Sequence, residues 1–60
     1  MEPLLLKVSE AAQLLNISRA KMYDLIGKGE IVSIKCGRVR RIPRTAIEQY
    51  IERQLHEQAA

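Results

Sequence analysis

Arg19, Lys21, Lys28, Lys35, Arg38, Arg40, Arg41 and Arg44 all fall between Ser18 and Arg44, where only Asp24 and Glu30 oppose them. Eight cations against two carboxylates give that stretch a net +6 in a chain whose total is +3, so the remainder is −3. Side chains of this kind do one sort of chemistry in bulk: they neutralise phosphates and displace the counterions around them. Arginine adds a planar fork that bonds two acceptors at once, on a phosphate or on the edge of a guanine. Positive potential gathered in one segment of a moderately charged chain is how a phosphate-facing surface is built, so nucleic-acid binding is the leading expectation.

Other chemistries find little footing. There is no Ser, His and acid constellation, no paired carboxylates at a site and no phosphate-cradling glycine loop, Gly27 and Gly29 around Lys28 being too few and badly placed. An enzyme is therefore not expected, and neither is a cofactor. Cys36 is the single cysteine and His56 the single histidine, some distance apart, so neither a disulfide within the chain nor a metal site is expected. The leucines 4–6 are too few for a signal-peptide core and lack a basic leader, and no segment suits a membrane span. The expected location is the cytoplasm.

The elements that must position the cations follow from local patterns. Sixty residues, 47% of them hydrophobic, with two Tyr and no Trp or Phe, suit one small domain (1–60) with a thin aliphatic core. Leu4 to Leu6 form a short apolar lead-in expected to pack across the domain. Ser9 is read as the N-cap of a first helix over about Glu10 to Leu15, with Ala11, Leu14 and Leu15 facing inward. Asn16 suits a left-handed C-cap, and Ser18 caps a second helix over about Arg19 to Lys28 whose inner face is Met22, Leu25 and Ile26. Two short helices joined by so tight a turn make a helix-turn-helix. Gly29 is the better candidate for that helix's left-handed cap. Beyond it, Ile31, Val32 and Ile34 favour a strand, Gly37 a turn, and Val39 to Ile42 a return strand, which together make a basic two-stranded antiparallel wing. Pro43 suits the first position of a third helix, with Ala46, Ile47, Tyr50, Ile51 and Leu55 as its apolar stripe and fraying expected over 57–60. The fold class expected is α+β, a small winged helix-turn-helix with a C-terminal helix.

The stretches LKVSEAAQLLNISRAKMYDLIGKGEI and KCGRVRRIPRTAIEQYI resemble the small excisionase-type winged helix-turn-helix proteins, related to the DNA-binding domains of MerR-type regulators. The resemblance covers about Leu5 to Ile51. It is carried by the order of elements, the opening Ser9 to Ala12, Ile17-Ser18-Arg19 at the turn, Gly29-Glu30 before the wing, Gly37-Arg38 at its tip, and Arg41 to Arg44 leading into the last helix. It implies a recognition helix in the major groove and a wing against the backbone or minor groove of duplex DNA. It also implies a factor that performs no chemistry but binds near a recombination site and assists an integrase in excision. At Arg40 the chain departs from the family, which commonly has an aromatic or other bulky residue there. On strict alternation Arg40 shares a face with Ile42, so either its stem packs while the guanidinium reaches outward, or the strand bulges. Which of Val39, Arg40 and Arg41 faces DNA stays open on the sequence.

The DNA-contact set expected is Ser18, Arg19, Lys21, Tyr23, Lys28, Lys35, Arg38, Arg40, Arg41 and Arg44. Arg19 is the best base reader, because it sits at the start of the second helix and carries the bidentate fork. Ser18 is first a cap, and Tyr23 either packs under the wing or offers its hydroxyl to a phosphate. Lys28 either favours the helix dipole or touches DNA. Arg44 opposes the dipole at the start of the third helix, a cost that an anionic neighbour would relieve. Cooperative self-association on DNA is a further expectation, since one small module binds weakly. A small transcriptional regulator using the same domain at a promoter is the alternative, and a module binding only protein is a third reading. The outer face of the last helix, through Glu48, Glu52, Arg53 and Glu57, is the place for a protein contact.

Overall fold

The computed structural model describes residues 4–59. Its elements are β1 (Leu5–Lys7), α1 (Val8–Leu15), α2 (Arg19–Gly27), β2 (Ile34–Cys36), β3 (Val39–Pro43) and α3 (Arg44–Ala59), the expected α+β arrangement of helix-turn-helix, wing and C-terminal helix. The strands form one antiparallel sheet in the order β1-β3-β2. The wing hairpin is thus β2 and β3, and the apolar lead-in is itself a third strand, pairing along β3 with Leu6 opposite Ile42. Those two side chains are buried, at 5% and 0% exposure, and anchor the sheet on the core.

The core is aliphatic, as the composition requires. Leu6, Val8, Ala11, Ala12, Met22, Leu25, Ile31, Ile42, Ala46 and Ile47 are buried together, with Leu15, Ile17, Ile26 and Tyr50 packed against them. No polar side chain among the described residues is buried. Small alanines on α1 let it approach α2 closely, and Met22, fully buried, fills the irregular space between them and the sheet.

Several local details depart from the sequence expectation. Helix α1 begins at Val8 rather than Glu10, and Ser9 lies in its first turn instead of capping it. The cap position is Lys7, whose backbone N–H donates to Glu10 Oε1 at 2.9 Å. The helix starts early because Val8, Ala11, Ala12 and Leu15 follow the i, i+3, i+4, i+7 spacing of an inward stripe, whereas Leu14 points outward and is 65% exposed. Pro43 ends β3 opposite Leu5, and α3 starts one residue later, its first N–H, on Arg44, donating to the Leu4 carbonyl at 2.9 Å. A proline without an N–H is tolerated there because β2 pairs only with Val39 to Arg41 and has already ended. Ile51 and Leu55 were expected in the apolar stripe of α3 but are 44% and 65% exposed, because the helix runs past the edge of a core that ends with Tyr50. The helix is continuous to Ala59, and Ala60, part of the expected frayed end, lies outside the described residues.

The helix caps follow the expected chemistry. Asn16 is left-handed (φ 57°, ψ 44°), and the turn closes with Ile17 N–H to Ala12 O at 2.9 Å and Asn16 N–H to Gln13 O at 3.1 Å. Gly29 (φ 78°) does the same for α2, with Glu30 N–H to Leu25 O at 3.0 Å and Gly29 N–H to Ile26 O at 3.1 Å. Both are Schellman arrangements, satisfying carbonyls that a helix end leaves open. The second directs the chain so that Ile31 drops into the core, 1% exposed, as a buried loop residue rather than the strand residue expected. No helix among the described residues is long and apolar enough to cross a membrane.

Candidate nucleic-acid interface

Helix α2 is set by Ser18, which stays extended (φ −73°, ψ 160°) while its Oγ accepts from the Lys21 N–H at 3.1 Å. That cap fixes where the first turn begins and so where Arg19 points. With Met22 and Leu25 buried and Ile26 half-buried, the remaining positions of α2 are outward, and Arg19 and Tyr23, one turn apart, lie on the flank that faces the wing.

The wing is a two-residue hairpin in which Cys36 pairs with Val39 around Gly37-Arg38. Gly37 takes φ 66° and Arg38 does not share a positive φ, the pattern of a type II′ turn, whose twist matches that of the strands. The register along β3 is uninterrupted, so there is no bulge at Arg40. Arg40 lies on the same side of the sheet as Ile42, beyond the end of the core, exposed, and its Nη1 donates to Ser33 Oγ at 2.6 Å. Of the two possibilities left by the sequence, the outward-reaching guanidinium is the one realised.

Between α2 and the wing lies an open concavity of ≈ 400 Å³. Arg19 and Tyr23 line it from α2, Arg38, Val39, Arg40 and Arg41 from the wing, and Lys7 and Ser9 from the junction of β1 with α1. Five cations from three parts of the chain therefore share one hollow. Val39, Arg40 and Arg41 all reach it, and Tyr23, 49% exposed, lies along its wall rather than under the wing.

Two features of the sheet run against folding stability. Lys7 stands directly opposite Arg41, and Lys35 directly opposite Arg40. Like charges in direct cross-strand register are destabilising. The two pairs project from opposite faces of the sheet, since Arg40 and Arg41 are adjacent on β3, and an anion brought against either face would offset the cost of the pair on that face. Within the protein, Arg41 Nη1 donates to the Arg40 carbonyl at 3.0 Å, and Ser33 holds Arg40, so both guanidiniums are oriented in advance.

The remaining expected contacts lie outside the concavity. Lys21 and Lys28 occupy the far flank of α2, where Asp24 Oδ2 takes both, at 3.9 Å and 3.1 Å. Lys35 faces outward on β2, Arg44 is half-buried at the start of α3, and Ser18 serves as the cap. Lys7 was not among the expected contacts, since it precedes the basic window and its neighbours in sequence, Leu4 to Leu6 and Val8, are apolar. Nothing in the local sequence marked it, because the alternation of exposure along Leu5, Leu6 and Lys7 arises from pairing with β3. Away from this surface, Arg53 of α3 donates to the Glu30 carbonyl and so ties the last helix to the turn after α2. Among the described residues no cluster of three or more His, Cys, Asp or Glu side chains is placed to hold a metal ion.

Two helices joined by a tight turn, with a basic hairpin completing a cation-lined hollow beside the second, define a small winged helix-turn-helix of the DNA-binding kind. A family model described as a helix-turn-helix domain matches residues 5–55, and the chain belongs to that family. It is 52% identical over 56 residues to a protein of Saccharopolyspora erythraea named "Probable excisionase", covering 93% of this chain and 57% of that protein. It is 42% identical over 55 residues to a protein of Streptomyces ambofaciens named "Excisionase", covering 92% of this chain and 89% of that one. The chain thus spans little more than half of the first relative's length and most of the second's. No solved structure matches it. The likeness to small excisionase-type DNA-binding proteins read from the sequence is supported by both relatives.

Proposed function

We propose that this protein is a sequence-specific, architectural DNA-binding factor that acts at a recombination site and assists an integrase in excision, itself performing no catalysis. The observation that carries the reading is the concavity in which Arg19 and Tyr23 of α2 meet Lys7, Arg38, Arg40 and Arg41. The two excisionase relatives support the recombination role over a purely regulatory one.

In this reading α2 enters the major groove with Arg19 reading a guanine through O6 and N7, while Ser18, Lys21 and Tyr23 position the helix on the backbone. The wing lays Lys35, Arg38, Arg40 and Arg41 against phosphates or the adjoining minor groove, and Lys28 and Arg44 make outer phosphate contacts. A module of this size buries only roughly 600–1,000 Å² on DNA, so adjacent copies or the integrase supply the remaining affinity. The work is done in the cytoplasm, where the DNA of a bacterium lies. Selection of bound sites from a random duplex pool, followed by excision in vitro with and without the protein, tests both parts. Recovery of a defined motif together with integrase-dependent stimulation of excision is expected. A motif with no effect on excision would transfer the protein to promoter regulation, and no enrichment at all would end the DNA-binding reading.

A further inference from the structure

The outermost face of α2 holds a residue that a phosphate-binding surface alone does not explain. At 3.6 residues per turn, the positions opposite buried Met22 and Leu25 are Ala20 and Gly27, with Asp24 about 50° round the helix on the side away from the wing. All three are exposed. Gly27 has no positive φ, and a Cβ built on it would meet nothing within 4 Å. Neither its backbone nor internal packing calls for glycine, which weakens a helix relative to alanine. With only Ala20 and Gly27 on the outermost line, the side chains nearest the floor of a groove that α2 enters are Tyr23 on the wing side and the Asp24 carboxylate on the other.

That carboxylate lies within salt-bridge distance of two ammonium groups, Lys28 at 3.1 Å and Lys21 at 3.9 Å, with about half of each side chain in solvent. Exposed pairs of this kind add little to folding. Asp24 lies in the second half of α2, where a negative charge gains nothing from the helix dipole. On binding, however, the group has two effects. While no cognate base engages it, it holds Lys21 and Lys28, which make backbone contacts in the proposed specific complex, away from phosphates, whose neutralisation supplies essentially all non-specific affinity. It also brings a negative charge to the groove, which is unfavourable against most sequences and favourable where an exocyclic amino group donates to it, as cytosine N4 does.

We propose that Asp24 is a specificity determinant: its carboxylate suppresses binding to non-cognate duplex through its hold on Lys21 and Lys28, and accepts a hydrogen bond from a cytosine amino group in the preferred site. The proposal rests on the DNA-binding reading of α2. It uses an attractive contact and a repulsive one together, as discriminating interfaces do.

The test compares the full chain with its Asp24→Ala and Asp24→Asn variants on two duplexes of equal length, the site selected by the wild type and a random sequence. Single-base-pair variants of the selected site complete the set, and circular dichroism checks the fold. Asp24→Ala should tighten binding to random duplex by several-fold or more at ~0.1 M salt and steepen its salt slope by about 1–2, as freed lysines reach phosphates. Its affinity for the selected site should hold or fall, lowering the specificity ratio by several-fold or more. Asp24→Asn should move the preference at one base pair from C·G toward A·T, because an amide pairs with adenine. Equal changes on both duplexes, or an Asn variant whose preferences match the wild type at every position, would overturn the assignment. A wild type that binds neither duplex would instead refute the DNA-binding reading beneath it.

Discussion

Replacing Lys7 by Gln should move folding and DNA binding in opposite directions. The side chain lies at the end of β1 directly across from Arg41 and lines the concavity with Arg19, Arg38, Arg40 and Arg41. Its structural duty at the start of α1 belongs to the backbone N–H that donates to Glu10, which the substitution leaves intact. Removing one of two cations in direct cross-strand register should stabilise the fold by roughly 0.2–1 kcal/mol, measured as a higher urea midpoint with unchanged slope. Binding should weaken. Each phosphate neutralised contributes about 0.9 to the slope of log affinity against log salt, so losing the Lys7 contact should flatten the slope by about 0.9. At ~0.1 M salt the lost contact amounts to about eightfold in affinity, or about 1.2 kcal/mol. Fluorescence anisotropy with a labelled duplex, titrated at four or five salt concentrations, reads both quantities. The reasoning fails if the variant keeps the wild-type slope, or if it loses stability, since either result would remove Lys7 from the phosphate surface or give it a supporting role in the fold.

Arg19→Ala should weaken binding to the preferred site by about 1–3 kcal/mol and relax the preference at one base pair, seen in a base-substitution panel; an equal loss on random duplex would make Arg19 a phosphate contact only. Arg38→Ala with Arg40→Ala should flatten the salt slope by about 1.8 while the selected motif is retained, so an altered motif would mean that the wing reads bases. Ser18→Ala removes the acceptor for the Lys21 N–H and should cost about 1 kcal/mol, a fall in Tm of about 4–8 °C in a chain this small. Met22→Ala, at a site with 0% exposure, should cost about 2–5 kcal/mol, enough to leave the chain largely unfolded by circular dichroism.

Features decided by a few neighbouring residues were legible in the sequence. Ser18 before Arg19, Asn16 and Gly29 after helical stretches, and Gly37 between β-favouring runs each satisfy or free backbone groups within one turn, so their roles follow from residue type and position. The concentration of cations between Ser18 and Arg44 needed only counting. Burial was less legible, because a period of 3.6 says which side chains share a face and not how far the core extends beneath it. Leu14, Ile51 and Leu55 fit such patterns and stand in solvent. Ser9 had the right type for a cap but lost the place to Lys7, because Glu10 reaches back to the Lys7 N–H and Val8 is drawn into the core.

The sequence by itself therefore determined the helix-turn-helix, the hairpin and the sign of the surface, all of which arise from local backbone preferences and from charge. Only the tertiary structure decided that the leading leucines become a strand along β3, that Lys7 joins Arg41, and that Asp24 holds Lys21 and Lys28 on one side of α2 while Arg19 faces the wing on the other. The physical reason is register. A strand pairing between residues far apart in the chain is selected by whether Leu6 and Ile42 can be buried together, and that single choice sets which side chain stands across from every other.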